Sequence, residues 1–306
     1  MSGLGALPAR FRRARLLIVG CGDVGQRVAK LRNGAHGAHG PQLLALTSSP
    51  HKAPALRALG IKPLLGNLDE AHSLARLSGV ATHVLHLAPP PGDTAGTDPR
   101  TWALLRALAK RGGLRKLVYG STSGVYGHCE GAWVDEVCAT RPQTERARRR
   151  VSAEQAVRGF ARSFGVAQTV LRIPGIYAPD REGGTPKARL ERQAPVLQAD
   201  QDVYTNHIHA TDLARACWVA VWGRANYRTV NVSDDSEMLM GDYMDMAAAL
   251  YQLPKPKRVS LEQAQAVLSP MQLSFMKESR RLRNTRMKRE LRLQLRYPTI
   301  DKGLQS

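Results

Sequence analysis

Cysteine is scarce in this chain of 306 residues: Cys21, Cys129, Cys138 and Cys217 are scattered, with no Cys-x-x-Cys pair. That usage excludes a disulfide framework and predicts free thiols in a reducing cytoplasm. Long apolar runs are missing as well. Stretches such as Cys217-Trp218-Val219-Ala220-Val221-Trp222 fall far short of the ~20 residues a membrane span requires. The first eleven residues hold no apolar block of the kind a secretory leader needs. Arg10, Arg12, Arg13 and Arg15 read instead as a short basic run that joins a tail, residues 1–11, to the fold.

Acidic residues are few, 25 against 45 lysines and arginines, for a formal charge of +20. Such an excess suits nucleic acid, an acidic surface or phosphorylated ligands. It is concentrated in two blocks. Arg141 to Arg150 carries five arginines against Glu145, and Lys277 to Arg296 carries nine basic residues against Glu278 and Glu290. Aromatic residues make up only 5% of the chain and do not interleave either block, so a base-stacking surface is not indicated. Solvated helix faces explain such blocks, which argues against a nucleic-acid partner.

What the chain does have is a β-branched apolar run feeding a glycine loop: Leu16-Leu17-Ile18-Val19, then Gly20-Cys21-Gly22-Asp23-Val24-Gly25. Glycines at this spacing permit a tight turn, close approach of backbone to a pyrophosphate, and close helix–strand packing. The N–H groups opening the helix would face a diphosphate, aided by the helix dipole. The strand before and the helix after separate this loop from a chance glycine turn.

Strand and helix then alternate, which argues for an α/β fold with a doubly wound parallel sheet of Rossmann type. Strands are expected at Arg15–Val19, Gln42–Thr47, Pro63–Leu65, Thr82–Leu87 and Lys116–Tyr119, with helices over Asp23–Leu31 and Thr101–Lys110. Ala88-Pro89-Pro90-Pro91 halts the fourth strand at the carboxyl edge of the sheet, where such folds bind ligands. His36 and His39 lie in a glycine-rich loop with no carboxylate or cysteine nearby, so they read as loop residues and no metal site is expected. Beyond the sheet, Met238–Leu250 and Leu261–Val267 have helical periodicity, with Pro254 and Pro256 between them.

The end of the second strand is informative through an absence. NAD-preferring sites place Asp or Glu about 20 residues past the glycines, on the ribose 2′-hydroxyl. Between Asp23 and Asp69 there is no acidic residue; the strand runs into Thr47-Ser48-Ser49-Pro50-His51-Lys52. Hydroxyls and positive charge there favour NADP over NAD.

Gly120-Ser121-Thr122-Ser123-Gly124-Val125-Tyr126-Gly127, following the fifth strand, resembles the serine/threonine segment of the extended short-chain dehydrogenase/reductase family, the NAD-dependent epimerases and dehydratases. Gly66-Asn67-Leu68-Asp69 is similar to that family's adenine-contacting turn. Leu171-Arg172-Ile173-Pro174-Gly175-Ile176-Tyr177-Ala178-Pro179 is similar to its segment at the nicotinamide end. Asn206–Ala214 and Val230–Asp235 match later segments in order and spacing. The Gly-Cys-Gly-Asp-Val-Gly loop and the late Tyr297-Pro298-Thr299 resemble its atypical YeeZ-like branch. The resemblance implies cofactor contacts from Gly20, Cys21, Gly22, Asp23, Val24, Gly25, Ser48, Asn67, Leu68, Ala88, Pro89, Ser121, Arg150, Pro174 and Ile176. It also implies a small-molecule substrate and leaves a homodimer open.

The family's catalytic Tyr-x-x-x-Lys pair is replaced. Counting from Pro142 and from Ala153-Glu154-Gln155 puts Arg146 at the tyrosine position and Arg150 at the lysine position. Arginine is in practice never deprotonated, so Arg146 can bind an anion but cannot take a hydroxyl proton. Arg150 can inherit the hold on the nicotinamide ribose, or pair with Glu154 one turn on. Thr122 matches the catalytic hydroxyl, with capping of the strand end as its structural alternative. Tyr126, His128, Glu145 and Tyr177 are candidate replacement bases, and Arg280 and Arg283 candidate substrate cations on a basic C-terminal helix. His209 reads as a packing residue, and Thr211 or Asp212 as the cap of the next helix.

Three functions remain open at this point. One is an NAD(P)-dependent oxidoreductase or epimerase-like enzyme acting on a small anionic substrate such as a nucleotide-sugar. Another is a catalytically silent NADP-binding sensor, and the third a nucleic-acid surface. The expected division is a Rossmann domain over 12–174 plus 208–232 and a small helical substrate lobe over 175–207 plus 233–306.

Overall fold

The computed structural model describes residues 13–35, 40–92 and 94–306; most of the basic tail, together with His36 and His39, lies outside them. Seven strands form the main sheet: β1 (Arg15–Val19), β2 (Gln42–Thr47), β3 (Ile61–Leu65), β4 (His83–His86), β5 (Lys116–Thr122), β6 (Ala167–Ile173) and β7 (Arg228–Asn231). Their order is β7-β6-β5-β4-β1-β2-β3, and every pairing is parallel. The doubly wound sheet expected from the alternation is what forms.

Side chains alternate across each strand, and both faces of β1 are covered. Leu16 and Ile18 pack on one side with Val28 of helix α1 (Asp23–Ala35) and with Leu213 and Cys217 of helix α5 (Ala210–Trp222). Leu17 and Val19 pack on the other with Leu104 and Leu108 of helix α3 (Pro99–Ala109) and Val157 of helix α4 (Glu145–Phe164). Leu16, Leu17, Ile18 and Val19 are all inaccessible to solvent, which is why β1 is apolar past Arg15 rather than alternating. Helix α2 (Ala53–Ala58) links β2 to β3.

Several bounds shift by a few residues: the fourth strand is His83–His86, and the helices run Asp23–Ala35, Pro99–Ala109 and Met240–Leu250. Two further differences have identifiable reasons. The fifth strand continues three residues past Tyr119, because Gly120, Ser121 and Thr122 pair with Leu171, Arg172 and Ile173 of β6; ladder pairing overrides the turn propensity of Gly-Ser-Thr. β3 starts at Ile61 and carries Pro63 within it, tolerated because β3 is an edge strand.

Helix ends follow local chemistry. Thr144 caps α4, accepting from the Ala147 N–H at 3.2 Å, and Gly165 closes it in the left-handed region. α5 is capped by His209, whose Nδ1 accepts from the Thr211 N–H, rather than by Thr211 or Asp212. Asp212 is instead buried, accepting from the backbone N–H groups of Arg296 and Tyr297, and so anchors the last part of the chain.

A smaller apolar cluster joins Tyr177, Leu190, Val196, Ile300 and Leu304 to Met244 and Ala247 of helix α6 (Met240–Leu250). Between these regions the chain returns to the main sheet, where Met287, Leu291 and Leu293 join the cluster around β1. The expected basic C-terminal helix is broken. Lys277–Arg296 contains a two-residue strand, Arg281–Leu282, pairing with Trp133–Val134, and a helix of only six residues, Thr285–Glu290. Its cations are engaged locally, Arg281 with Glu237 and Lys288 with Asp235.

Candidate functional site

The strand order reverses direction between β1 and β4, the position where open α/β sheets take ligands. There the carboxyl ends of β1, β2, β4 and β5 open onto one cavity of about 900 Å³. Of the residues expected to contact the cofactor, all but Gly25 are on its wall, as is Thr122; Arg146 is not, nor are the four candidate bases, Arg280 or Arg283.

The glycines of the loop have three different duties. Gly20 has φ +86°, and a β-carbon there would lie 2.3 Å from the Ala88 nitrogen. That crowding arises because the Leu87 and Ala88 N–H groups both donate to the Val19 carbonyl, at 2.7 and 3.0 Å. Gly25 packs instead against Ile18 and Cys21, at 3.1 and 3.3 Å from its missing β-carbon, so it brings helix to strand. Gly22 borders the cavity and has nothing within 4 Å of its missing β-carbon. The space is open on the side where a ligand would approach. Burial pushes the Cys21 thiol up to about 11, so it stays a neutral thiol.

At the end of β2 the wall carries Ser48, Ser49 and Lys52. Beyond β3, Asn67, Leu68 and Asp69 contribute. Arg100 of α3 donates to both Asp69 carboxylate oxygens at 2.7 and 2.6 Å and to the Pro89 carbonyl at 3.2 Å. It thereby ties the turn after β3 to the loop after β4, and its hydrogen bonds hold the Asp69 carboxyl below the usual range.

At the end of β5, Thr122 Oγ1 accepts from the Gly124 N–H at 3.3 Å, the capping role, while the residue also faces the cavity. Ser121 donates to Glu154 Oε1 at 2.6 Å. Glu154 is fully buried and paired with Arg172 at 2.9 Å and Arg158 at 2.7 Å. Burial alone would raise its carboxyl, but the bonds from Arg172 and Ser121 and the charge of Arg158 hold it below the ordinary range. Glu154 is therefore not a surface partner of Arg150. Arg150 reaches over β5, donating to the Gly120 carbonyl at 2.8 Å and to Tyr119 Oη at 3.1 Å.

Arg146 is turned from the cavity wall, its guanidinium 4.7 Å above the Phe275 ring. The four candidate bases are committed elsewhere. Tyr126 donates to Asn231 Oδ1 at 2.7 Å, and burial pushes its hydroxyl up to about 12. His128 Nδ1 accepts from the Ser279 N–H. Glu145 pairs with Arg148 on the surface, and Tyr177 donates to the Thr299 carbonyl at 3.3 Å. Arg280 is buried, donating to the Gly127 carbonyl at 2.7 Å and to Glu278 at 2.9 Å.

Two residues beside this site escaped the reading of the sequence. Glu278 Oε2 and Thr122 Oγ1 lie 3.9 and 3.6 Å from one point, the position a β-carbon on Gly124 would take; one of only two acidic residues in a basic block was the available signal. Arg181, also on the wall, follows the strand-six segment in a loop that nothing local marks as facing the glycines.

The comparisons agree with this geometry. The NAD dependent epimerase/dehydratase family matches residues 17–233. A functionally unknown conserved protein from Silicibacter pomeroyi DSS is 30% identical, with a TM-score of 0.77 over 95% of this chain and 97% of that one. MoeE5, solved in complex with UDP-glucose and NAD, is 21% identical with a TM-score of 0.74, over 95% of this chain and 96% of that one. The UDP-glucose 4-epimerase of Thermotoga maritima is 17% identical with a TM-score of 0.75, over 94% and 96% of the two chains. A segment of 61 residues is 41% identical to the uncharacterized protein KIAA1755 homolog of Mus musculus, and spans only 5% of that protein. The family match over most of the chain, joined to the strand order and the glycine loop, makes this chain a member of the NAD dependent epimerase/dehydratase family.

Proposed function

We propose that this protein binds NADP in preference to NAD and acts as an oxidoreductase or epimerase-like enzyme on a small anionic substrate. The observation that supports it best is the single cavity bringing the glycine loop, the Ser48–Lys52 turn, Asn67, Thr122 and Arg150 together at the switch point of the sheet. The open space above Gly22 fits a dinucleotide whose phosphates press against backbone. When bound, the nicotinamide supplies the donor or acceptor of a hydride.

The chain's own residues do the rest. Ser48 and Lys52 receive the 2′-phosphate, Asn67 and Leu68 border the adenine, and Ala88, Pro89, Pro174 and Ile176 frame the dinucleotide. Arg150 holds ribose hydroxyls, and Thr122 donates to a substrate oxygen. Arg146 keeps its proton and, with its guanidinium over Phe275, takes no part at the reacting atoms. Glu278 Oε2 lies near Thr122 and accepts from Arg280 at 2.9 Å, so a charge pair and not a free base stands beside that hydroxyl. Nucleotide-sugars are the first substrate class to test, since MoeE5 carries UDP-glucose in a similar fold.

A second reading, a silent NADP-binding sensor, is favoured by Arg146 standing in place of a base and turned toward Phe275. Incubation with NADP and a panel of UDP-sugars, followed at the NADPH absorbance and by product chromatography, separates the two. Turnover that Thr122→Ala reduces about 100-fold, with cofactor binding kept, supports the enzyme. Binding without turnover across the panel supports the sensor. The division into 12–174 plus 208–232 and 175–207 plus 233–306, a cytoplasmic location, a homodimer and the atypical branch belong to the same proposal.

A further inference from the structure

We propose that the loop Ala178–Gly184 is a strap across the phosphate cradle, and that Arg181 is its hydrogen-bond donor to the ligand's diphosphate; this rests on the dinucleotide reading above. The loop has a fixed form. The Ala178 N–H donates to the Gly184 carbonyl at 3.1 Å, and the Gly184 N–H to the Arg181 carbonyl at 2.9 Å. A β-carbon on Gly184 would meet the Ala178 carbonyl at 2.5 Å, so the two ends of the loop are pinned close together.

Two ion pairs lay this loop against the start of α1. Arg27 joins Asp180 at 2.6 Å while holding Asp23 at 3.0 Å. Arg181 Nε approaches Asp23 Oδ2 at 3.3 Å, but without hydrogen-bond geometry: both atoms are buried and neither has a hydrogen-bond partner. An unsatisfied buried donor is costly, and Arg181 borders the same cavity as Gly20, Gly22 and Asp23. A diphosphate lying along the first turn of α1 would supply the acceptor that Asp23 does not.

The arrangement also answers an electrostatic problem. Asp23 brings a carboxylate to the helix end that attracts anions, where it would repel a diphosphate. Arg27 neutralises it from behind, which leaves the Arg181 guanidinium able to exchange its loose contact with Asp23 for a charge-assisted bond to phosphate. Arg181 is a binding residue in this scheme and takes no part in chemistry.

Calorimetric titration of the full chain and its Arg181→Ala and Arg181→Lys variants tests this, with NADPH, ADP-ribose and adenosine 2′-monophosphate as ligands. Arg181→Ala should weaken NADPH and ADP-ribose alike, by roughly 10-fold, and Arg181→Lys should recover part of that loss. Adenosine 2′-monophosphate, which lacks the diphosphate, should bind the variants as it binds wild type. The melting temperature without ligand should fall only slightly, since the ion pair is partly exposed and the further bond lost is the one Arg181 donates to the Ile176 carbonyl at 3.2 Å. Equal losses for all three ligands would mean a structural role and overturn the proposal, as would unchanged NADPH binding by Arg181→Ala. Wild-type protein that binds none of the three would instead defeat the dinucleotide reading itself.

Discussion

Gly22 and Gly20 stand two residues apart in the same loop, yet the structure gives them opposite sensitivities. A methyl at Gly22 meets nothing within 4 Å, and its φ is outside the left-handed region. Gly22→Ala should therefore leave the fold intact, and restriction of the unfolded chain should raise stability by about 0.4–1 kcal/mol. The same methyl fills the space a diphosphate would use. Moving that group by the width of a methyl breaks charge-assisted bonds to helix N–H groups worth about 1.5–3 kcal/mol each. Loss of one of these is about a 10- to 150-fold loss of affinity. Gly20→Ala puts a β-carbon 2.3 Å from the Ala88 nitrogen at φ +86°, and should cost several kcal/mol of stability whatever the ligand. Denaturant unfolding paired with NADP calorimetry on both variants reads the contrast. A Gly22→Ala protein that binds NADP within twofold of wild type would refute the reasoning, as would one that melts as low as Gly20→Ala.

Glu154→Gln leaves Arg172, 4% exposed, without its buried counter-charge and should cost about 3–5 kcal/mol in urea unfolding; a loss under about 1 kcal/mol would show the pair to be energetically idle. Lys52→Glu should weaken NADP about 10-fold while leaving NAD unchanged, measured by calorimetry; equal effects on both would remove the 2′-phosphate assignment. Burial holds the Asp234 carboxyl up at about 8 in the fold, against about 3.9 unfolded. The folded state then holds the extra proton between those values, so stability is greatest below about pH 4 on this account and falls by a few kcal/mol as pH rises to about 8. Asp234→Asn should flatten that part of the stability–pH curve, and an unchanged slope would count against the buried acid.

The sheet was legible because its information is local. Leu16–Val19, Gln42–Thr47 and the glycine loop each announce their structure within a few residues, and the boundaries of β1 and β2 match the expectation. The wall of the cavity was nearly as legible, since most of its residues end strands and strand ends converge at the switch point. What sequence could not reveal depends on contacts across the fold. Gly120–Thr122 became strand because β6 was there to pair with it. Glu154 left Arg150 for Arg172, a partner 18 residues away in sequence on strand β6, which α4 packs against. Arg181 and Glu278 reach the site from late loops whose direction is set by tertiary packing. Arg146 lies on α4, and its contact with Phe275, a residue 129 positions further along, could not be read from its own segment.

The central claim is that the cavity at the end of β1 receives a dinucleotide through its diphosphate. Titrating the purified wild-type chain with NADP and with NAD in a calorimeter tests it most directly. The account predicts saturable one-site heat for both, tighter for NADP; no heat with either at saturating concentration would contradict it.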